Sequence, residues 1–172
     1  MACLIVVSSK GGNTKKVAEA LAQGLAAAQI EVEGPVEPGA VDDEVLAAAD
    51  TVLAGFWTDK GDCAPELASL LERLAGKRVF LFGTAGFGGS ASYFERILGN
   101  VQQHLPADAV LVGTAMCQGK MAPGVRARYE AMLADNPEDG RARAMLANFD
   151  AASTHPSDKD CATIVSAALQ AL

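Results

Sequence analysis

The stretch CLIVVSSKGGNTKKVAEALA, residues 3–22, carries the signal that decides the fold. Its first five residues, Cys3 to Val7, are all apolar, as in a strand that is buried on both faces of a sheet. A polar turn with two adjacent glycines follows, and after it the apolar residues recur at helical spacing. Backbone N–H groups converge in such a turn, and the helix dipole favours an anion there. The stretch therefore predicts a phosphate site between a strand and a helix.

Short apolar runs and helical segments alternate along the chain, which predicts a parallel sheet with helices on both faces. Strands are predicted at residues 3–7, 30–33, 51–55, 78–83 and 109–117. Helices are predicted at residues 13–28, 42–49, 65–74 and 92–104. In a doubly wound sheet of this kind, ligands bind outside the carboxyl ends of the strands. A chain of 172 residues has the size of one domain, so residues 1–172 are predicted to share one fold.

Residues 118–156 depart from this alternation, because helical segments follow one another with no strand between them. Pro123, the Asn136-Pro137 pair and Gly140 break the segments. We therefore predict a helical insertion after the fifth strand and a closing helix over residues 157–171, with Ser157 as its N-cap. The insertion is expected to lie beside the ligand edge. Its basic side chains are expected to form a positive cluster there, namely Lys120, Arg126, Arg128, Arg141 and Arg143.

The turn after the first strand matches neither of two common nucleotide motifs. The triphosphatase loop needs G-x-x-x-x-G-K-[ST] and the dinucleotide fingerprint needs G-x-G-x-x-G, and both fail on spacing. Ser9, Asn13 and Thr14 supply side-chain donors for an anion. The alternative interpretation is a turn and helix cap that binds no ligand.

This turn resembles the first loop of the flavodoxin family, which reads approximately S/T-x-T-G-N-T and holds the 5′-phosphate of FMN. The match covers residues 9–14, and Gly11 stands where the family usually has threonine. The resemblance implies an α/β fold, a doubly wound five-stranded parallel sheet in a three-layer sandwich, with FMN as cofactor. The phosphate-binding residues that it implies are Ser8, Ser9, Lys10, Gly11, Gly12, Asn13 and Thr14.

Two further loops fit the same resemblance. The segment GFWTDKG, residues 55–61, contains the single tryptophan of the chain, at the place where flavodoxins often cover one flavin face. The segment TAGFGGS, residues 84–90, is rich in glycine, which lets a backbone approach the flavin edge closely. The residues implied to bind are Phe56, Trp57, Thr58, Thr84, Ala85, Gly86, Phe87 and Gly88. The alternatives are ordinary packing for the tryptophan and a ligand-free glycine loop.

The resemblance implies an FMN-binding electron-transfer or accessory redox protein with redox proteins as partners, as a monomer or a homodimer. The segments GFWTDKG, LFGT and CQGKM are similar to a flavodoxin-domain subgroup that includes proteins encoded beside bilirubin reductases. Two alternatives stay open. One is an NAD(P)H-dependent FMN reductase of quinones or similar acceptors, and the other is a binding or scaffold protein that has lost FMN.

Charge and composition limit the binding partners, the location and the cysteine chemistry that can be expected. A net charge of −7 disfavours nucleic acid and anionic membranes as partners. The amino-terminal apolar run is too short for a signal peptide or a membrane span, so a cytoplasmic protein is expected. The four cysteines form no C-x-x-C pair and are expected to be reduced thiols. His104 and His155 have no sequence neighbours typical of a metal site, and both are interpreted as structural.

Overall fold

The computed structural model describes residues 2–88 and 90–172. In this part of the chain, five strands form one parallel sheet in the order β2-β1-β3-β4-β5. The strands are β1 Cys3–Val7, β2 Val32–Val36, β3 Thr51–Trp57, β4 Arg78–Ala85 and β5 Val110–Gln118. The helices are α1 Asn13–Ala27, α2 Asp43–Ala48, α3 Pro65–Leu71, α4 Ala91–Gln102, α5 Pro123–Asp135, α6 Gly140–Ala152 and α7 Asp158–Ala171. The doubly wound three-layer fold is confirmed.

The two faces of the sheet carry separate cores, because successive side chains of a strand point to opposite faces. Leu4, Val52 and Leu81 pack under α2, α3 and α4 on one face. Ile5 and Phe80 pack under α1 and α7 on the other. Burial on both faces explains why these strands are nearly continuous apolar runs.

The two central strands interlock through glycine and phenylalanine. Gly55 of β3 lies opposite Phe82 of β4, and Phe56 of β3 lies opposite Gly83. A Cβ atom at Gly55 would overlap the Phe82 ring, and one at Gly83 would overlap the Phe56 ring. Each ring therefore fills the space that its glycine neighbour leaves open.

Several strand boundaries differ from those predicted. β3 and β4 continue to Trp57 and Ala85, because they stay paired up to Trp57 opposite Thr84. β2 lies at Val32–Val36 rather than 30–33, with Pro35 inside it. Proline has no N–H to donate, and the edge position of β2 tolerates that loss.

The insertion after β5 contains α5 and α6, as the helical pattern predicted. The two helices pack against each other, with Tyr129 and Ala142 buried. The closing helix α7 then returns to pack on α1 and β5. No helix in residues 2–88 and 90–172 combines the length and the apolar character required to cross a membrane.

The closing helix begins with a capping box, which confirms Ser157 as its N-cap. The Ser157 hydroxyl oxygen accepts from the Asp160 N–H at 3.2 Å, and the Asp160 carboxylate accepts from the Ser157 N–H at 2.6 Å. His155 Nδ1 lies 2.6 Å from the same carboxylate. The box satisfies N–H groups that a helix start otherwise leaves without partners.

Removing the Asp160 carboxylate is expected to destabilise the fold in a pH-dependent way. Burial raises the pKa of Asp160, but hydrogen bonds from Ser157 and His155 outweigh it and leave the pKa below its ordinary value. A lowered folded-state pKa gives stability that is present above the unfolded value and lost as pH falls through the folded one. Asp160→Ala should therefore lower the free energy of unfolding by about 1 kcal/mol at neutral pH.

Urea unfolding of wild type and Asp160→Ala at several pH values measures this difference. It should shrink below about pH 4, near the ordinary aspartate pKa. Asp158→Ala, at an exposed position of the same first turn, serves as the control. A difference between wild type and Asp160→Ala that stays constant down to about pH 2 would contradict the assignment.

Candidate functional site

Three loops meet at the carboxyl ends of the central strands. We name them the phosphate loop, residues 8–14 after β1, the turn loop, residues 58–63 after β3, and the glycine loop, residues 86–88 after β4. Because β1, β3 and β4 are adjacent and parallel, the three loops share one edge of the sheet. This edge is where the sequence predicts the ligand.

The phosphate loop presents a row of backbone donors. Within the described part of the chain, the N–H groups of residues 10–14 have no hydrogen-bond acceptor. The first satisfied donors of the helix are Lys15 N–H, bonded to Ser9 Oγ at 3.2 Å, and Lys16 N–H, bonded to the Gly12 carbonyl at 3.0 Å. Consecutive free N–H groups at a helix N-terminus suit an anion.

Glycine gives this loop its shape and leaves it open. Gly12 has φ +87°, a left-handed conformation that glycine adopts without steric cost. Cβ atoms at Gly11 and Gly12 would meet nothing within 4 Å among the described residues. Both glycines and Lys10 are exposed. The open loop, its free donors and its lysine fit the phosphate group of FMN.

Several hydroxyls predicted to bind are turned toward the interior. Ser8 Oγ donates to Glu66 at 2.9 Å, and Thr14 Oγ1 lies 2.9 Å from Thr84 Oγ1 in a buried contact. Thr14 is fully buried and Thr84 nearly so. These bonds tie the phosphate loop to α3 and β4. A direct contact of the Thr14 or Thr84 hydroxyl with a ligand stays a prediction.

Asn13 joins the phosphate loop to the start of the insertion. Its Nδ2 donates to the Lys120 carbonyl at 2.8 Å. Its Oδ1 is buried and has no donor within the described residues. A buried acceptor without a donor is costly. FMN carries hydroxyl donors next to its phosphate, so this orphaned oxygen also fits the cofactor.

Trp57 ends β3 rather than lying in the following loop, and it is partly exposed. Lys10 Nζ lies 5.1 Å from the centre of its ring, within the range of a cation–π contact. The neighbouring Phe56 is fully buried under the sheet, so its side chain belongs to the core and does not face the loops.

The turn loop is held from several directions. Thr58 N–H and Thr58 Oγ1 both donate to the Thr84 carbonyl, at 3.0 and 2.9 Å. Asp59 and Asp62 exchange backbone hydrogen bonds across a tight turn. Lys60 and Gly61 at the turn centre both have positive φ. Two positive φ values in sequence are typical of a type I′ turn, so the loop has a defined conformation.

The glycine loop is anchored by the insertion. The Gly86 carbonyl accepts from Gln118 Nε2 at 3.0 Å and from Asn148 Nδ2 at 3.1 Å. Gln118 Nε2 also lies 3.0 Å from Asn148 Oδ1, so the three groups form one network. Phe87 is 41% exposed. Gly89, which follows in the predicted loop, lies outside the described residues.

The insertion lies beside the candidate site, as predicted. Lys120 N–H donates to the His155 carbonyl, and Lys16 Nζ donates to the Pro156 carbonyl, both at 2.8 Å. A cavity of about 320 Å³ separates the phosphate loop from residues 153–156, and Lys16 and Lys120 line it. This volume is at the lower end of the range for small-molecule pockets.

The prediction that the insertion carries a positive cluster is wrong. Residues 118–156 contain five basic and five acidic residues, so their formal charges cancel. Arg126 is paired with both Glu130 and Asp150, and Arg143 lies near Glu138. Folding places these acidic side chains on the same surface as the arginines. The insertion therefore carries no net formal charge, and two of its five basic side chains lie in ion pairs.

All four cysteines are buried free thiols, in agreement with the expectation from their spacing. Burial raises the pKa of Cys63 to about 12, with a further contribution from Asp62. Burial likewise raises the pKa of Cys117 to about 12, with a further contribution from Asp160. Both thiols stay protonated at neutral pH, so neither is an activated nucleophile.

Sequence reasoning missed the residues that support the loops from a distance. Glu66, Gln118 and Asn148 reach the phosphate and glycine loops from α3, β5 and α6. None of them lies in a recognisable motif. Lys16 could have been found, because it lies one helical turn after Gly12 in the first stretch.

Comparison with known proteins connects this geometry to a family. The model of the family described as flavodoxin domain matches residues 4–168. The flavodoxin-like domain-containing protein BilS of Clostridium symbiosum (strain WAL-14163) is 40% identical over 170 residues, covering 92% of this chain and 89% of that protein. The protein of the same name from Clostridioides difficile (strain CD3) is 33% identical over 162 residues, covering 93% and 90%.

Solved structures show the same fold. The solution structure of two-electron reduced Megasphaera elsdenii flavodoxin matches with a TM-score of 0.51 and 24% identity. The match covers 71% of this chain and 89% of that chain. At this identity the likeness concerns the fold alone.

Proposed function

Because the chain belongs to the flavodoxin family, with the BilS proteins among its relatives, we propose that it binds FMN and acts as an electron-transfer or accessory redox protein. The observation that carries this proposal is the row of N–H groups at residues 10–14, which have no acceptor among residues 2–88 and 90–172. A phosphate dianion would supply the acceptors that these donors lack. The partly exposed Trp57 and the glycine loop at the same edge support it.

Each loop has a separate task in this proposal. When bound, FMN supplies the redox chemistry, and the protein supplies binding, orientation and electrostatics. The phosphate loop holds the dianion through its N–H groups and Lys10. Trp57 offers an aromatic face to the flavin ring and excludes water from the face of the ring that it covers. The backbone of Gly86 and Gly88 provides polar groups for the ring edge, and Thr58 stays fixed to Thr84.

Titration of the chain with FMN tests the proposal directly. Trp57 is the only tryptophan, so its fluorescence reports on this site alone. FMN should quench that fluorescence with one-to-one stoichiometry and remain bound through gel filtration. Fluorescence indifferent to FMN, in a protein that also leaves the column colourless, would refute the proposal.

One observation favours the alternative of a binding protein that has lost FMN: the phosphate loop offers fewer free hydroxyls than the flavodoxin loop. Gly11 has none, and the Thr14 hydroxyl is directed to Thr84. These features favour a flavodoxin-fold binding protein without FMN, and the same titration separates the two. The reductase alternative is tested by NAD(P)H oxidation with the FMN-loaded chain and a quinone as acceptor.

Asn148→Ala is expected to weaken FMN binding about three- to tenfold, because it removes one of two donors that hold the Gly86 carbonyl. The estimate corresponds to one net hydrogen bond of roughly 1 kcal/mol. Riboflavin should lose the same factor, since the phosphate loop is untouched. Asn136→Ala, in the exposed connection between α5 and α6, is the control. Unchanged affinity for both ligands would show that this contact does not position the glycine loop.

A further inference from the structure

The turn loop and the chain just after α4 bring three side chains of different chemistry together. Asp62, Cys63 and His104 each offer one ligand atom, and these atoms all lie within 4.8 Å of one another. His104 Nε2 is 3.1 Å from both carboxylate oxygens of Asp62. Within residues 2–88 and 90–172, no other three histidine, cysteine or acidic side chains meet in this way. Cys63 and His104 lie far apart in sequence, so no local motif marks the cluster.

The backbone that carries two of these ligands is well held. Asp59 and Asp62 exchange hydrogen bonds of 2.8 and 3.0 Å across the type I′ turn. Asn100 Nδ2 donates to the Gly61 carbonyl at 2.9 Å, which fastens the turn to α4. The Cys63 N–H donates to Asp62 Oδ1 at 2.7 Å and orients that carboxylate. These hydrogen bonds therefore hold the backbone of Asp62 and Cys63 in place without a metal ion.

The three ligand atoms are of the types that a zinc-type ion binds, and the nitrogen–oxygen separation is close to the one that such an ion requires. Carboxylate oxygen, thiolate sulfur and imidazole nitrogen are the three ligand types that Zn²⁺ uses in proteins. With the usual Zn–O, Zn–N and Zn–S lengths, tetrahedral geometry places ligand atoms about 3.3–3.6 Å apart. The observed separation of 3.1 Å between nitrogen and oxygen needs only a small expansion.

An ion can reach the cluster from solvent. The Asp62 and His104 side chains are 40% and 28% exposed, whereas Cys63 is buried behind them. Three protein ligands leave the fourth tetrahedral position to water. Binding would release the thiol proton to solvent as the sulfur–metal bond forms.

A second histidine–carboxylate pair in the molecule shows what a purely structural pair looks like. The Asp160 carboxylate next to His155 also accepts from the Ser157 N–H and the Ser157 hydroxyl. The Oδ2 atom of that carboxylate is therefore engaged by the helix cap. By contrast, Asp62 Oδ2 has only His104 as a partner among the described residues, and the Cys63 thiol lies beside it.

We propose that Asp62, Cys63 and His104 form a binding site for a divalent metal ion of the zinc type. The ion would tie the turn loop to the chain after α4. The turn loop begins directly after Trp57. Metal binding would therefore hold in place one side of the sheet edge at which the three loops meet. The site does not depend on FMN binding, and either proposal can fail without the other.

Cobalt(II) is the probe of choice, because a cobalt–thiolate bond gives a charge-transfer absorption that oxygen and nitrogen ligands do not give. The untagged chain of residues 1–172, freed of metal with a chelator, should bind one equivalent of Co²⁺ with that band. Added Zn²⁺ should abolish the band by displacing Co²⁺. At about 100-fold excess of Zn²⁺ over its Kd, the melting temperature should rise by roughly 5–10 °C.

Two variants locate the ion. Cys63→Ser should abolish the charge-transfer band, and His104→Gln should lower Co²⁺ affinity at least about tenfold. Because His104 is partly exposed, His104→Gln keeps the test valid even if Cys63→Ser folds poorly. Cys161→Ser, which alters a buried thiol outside the cluster, should leave binding unchanged. Co²⁺ binding without a sulfur band in wild type, or equal affinity in His104→Gln, would overturn the proposal.

Discussion

FMN is expected to bind this chain about 10²–10³-fold more tightly than riboflavin, which differs only in lacking the phosphate. Residues 10–14 offer five backbone donors, and a hydrogen bond to a charged group contributes roughly 1.5–3 kcal/mol after its exchange with water. Two such bonds in net terms account for the expected ratio. Parallel titrations of Trp57 fluorescence with both ligands measure it.

Variants of the two loop glycines should change FMN affinity in opposite directions. Gly12→Ala forces a side chain into φ +87°, at a cost of about 1–2 kcal/mol, and should weaken FMN binding roughly 5- to 30-fold. Gly11→Thr adds the hydroxyl that flavodoxins usually carry there and should strengthen FMN binding about fivefold. Riboflavin affinity should stay unchanged in both variants, and Gly39→Ala, in an open turn before α2, is the control. Equal affinities for FMN and riboflavin in wild type would show that the loop does not bind phosphate.

The central sheet and the phosphate loop could be predicted from sequence because their signals are local. A strand buried on both faces is a continuous apolar run, and β1 shows this from Cys3 to Val7. The turn after it contains its own glycines and its own helix start. Even so, the ends of β3 and β4 were placed short, because pairing between strands extends them to Trp57 and Ala85.

The supporting contacts of the candidate site could not be predicted, because they join distant parts of the chain. Asn148 reaches Gly86 across 62 residues, and Ser8 reaches Glu66 across 58. Single polar residues on helices carry no periodic signal. The predicted positive charge of the insertion is wrong for a simpler reason, because residues 118–156 also contain five acidic residues, one of which, Asp150, pairs with Arg126. Which of these charges pair across α5 and α6 depends on how the two helices pack, and no local pattern fixes that packing.

Alanine at Gly55 or Gly83 is expected to lower the free energy of unfolding by about 2–3 kcal/mol, the upper part of the range for overpacked cores. The added methyl group would overlap the Phe82 ring at Gly55 and the Phe56 ring at Gly83. Both rings are fully buried and pack among neighbours on every side, so they have little room to move. For a chain of this length the melting temperature should fall by roughly 4–12 °C.

A graded control comes from the edge of the same sheet. A Cβ atom at Gly113 of β5 would lie 3.0 Å from the Phe80 ring and 3.2 Å from Ala171, and β5 is covered on fewer sides. Gly113→Ala should therefore lower the free energy of unfolding clearly less than Gly83→Ala does.

A double-mutant cycle tests whether the Phe56 ring causes the loss of stability in Gly83→Ala, because Phe56→Leu shortens the side chain that the new methyl group meets. Gly83→Ala should then cost at least about 1 kcal/mol less in the Phe56→Leu background than in wild type. If the two costs are equal, the ring of Phe56 does not require glycine at position 83, and the interlocking of β3 and β4 must have another origin.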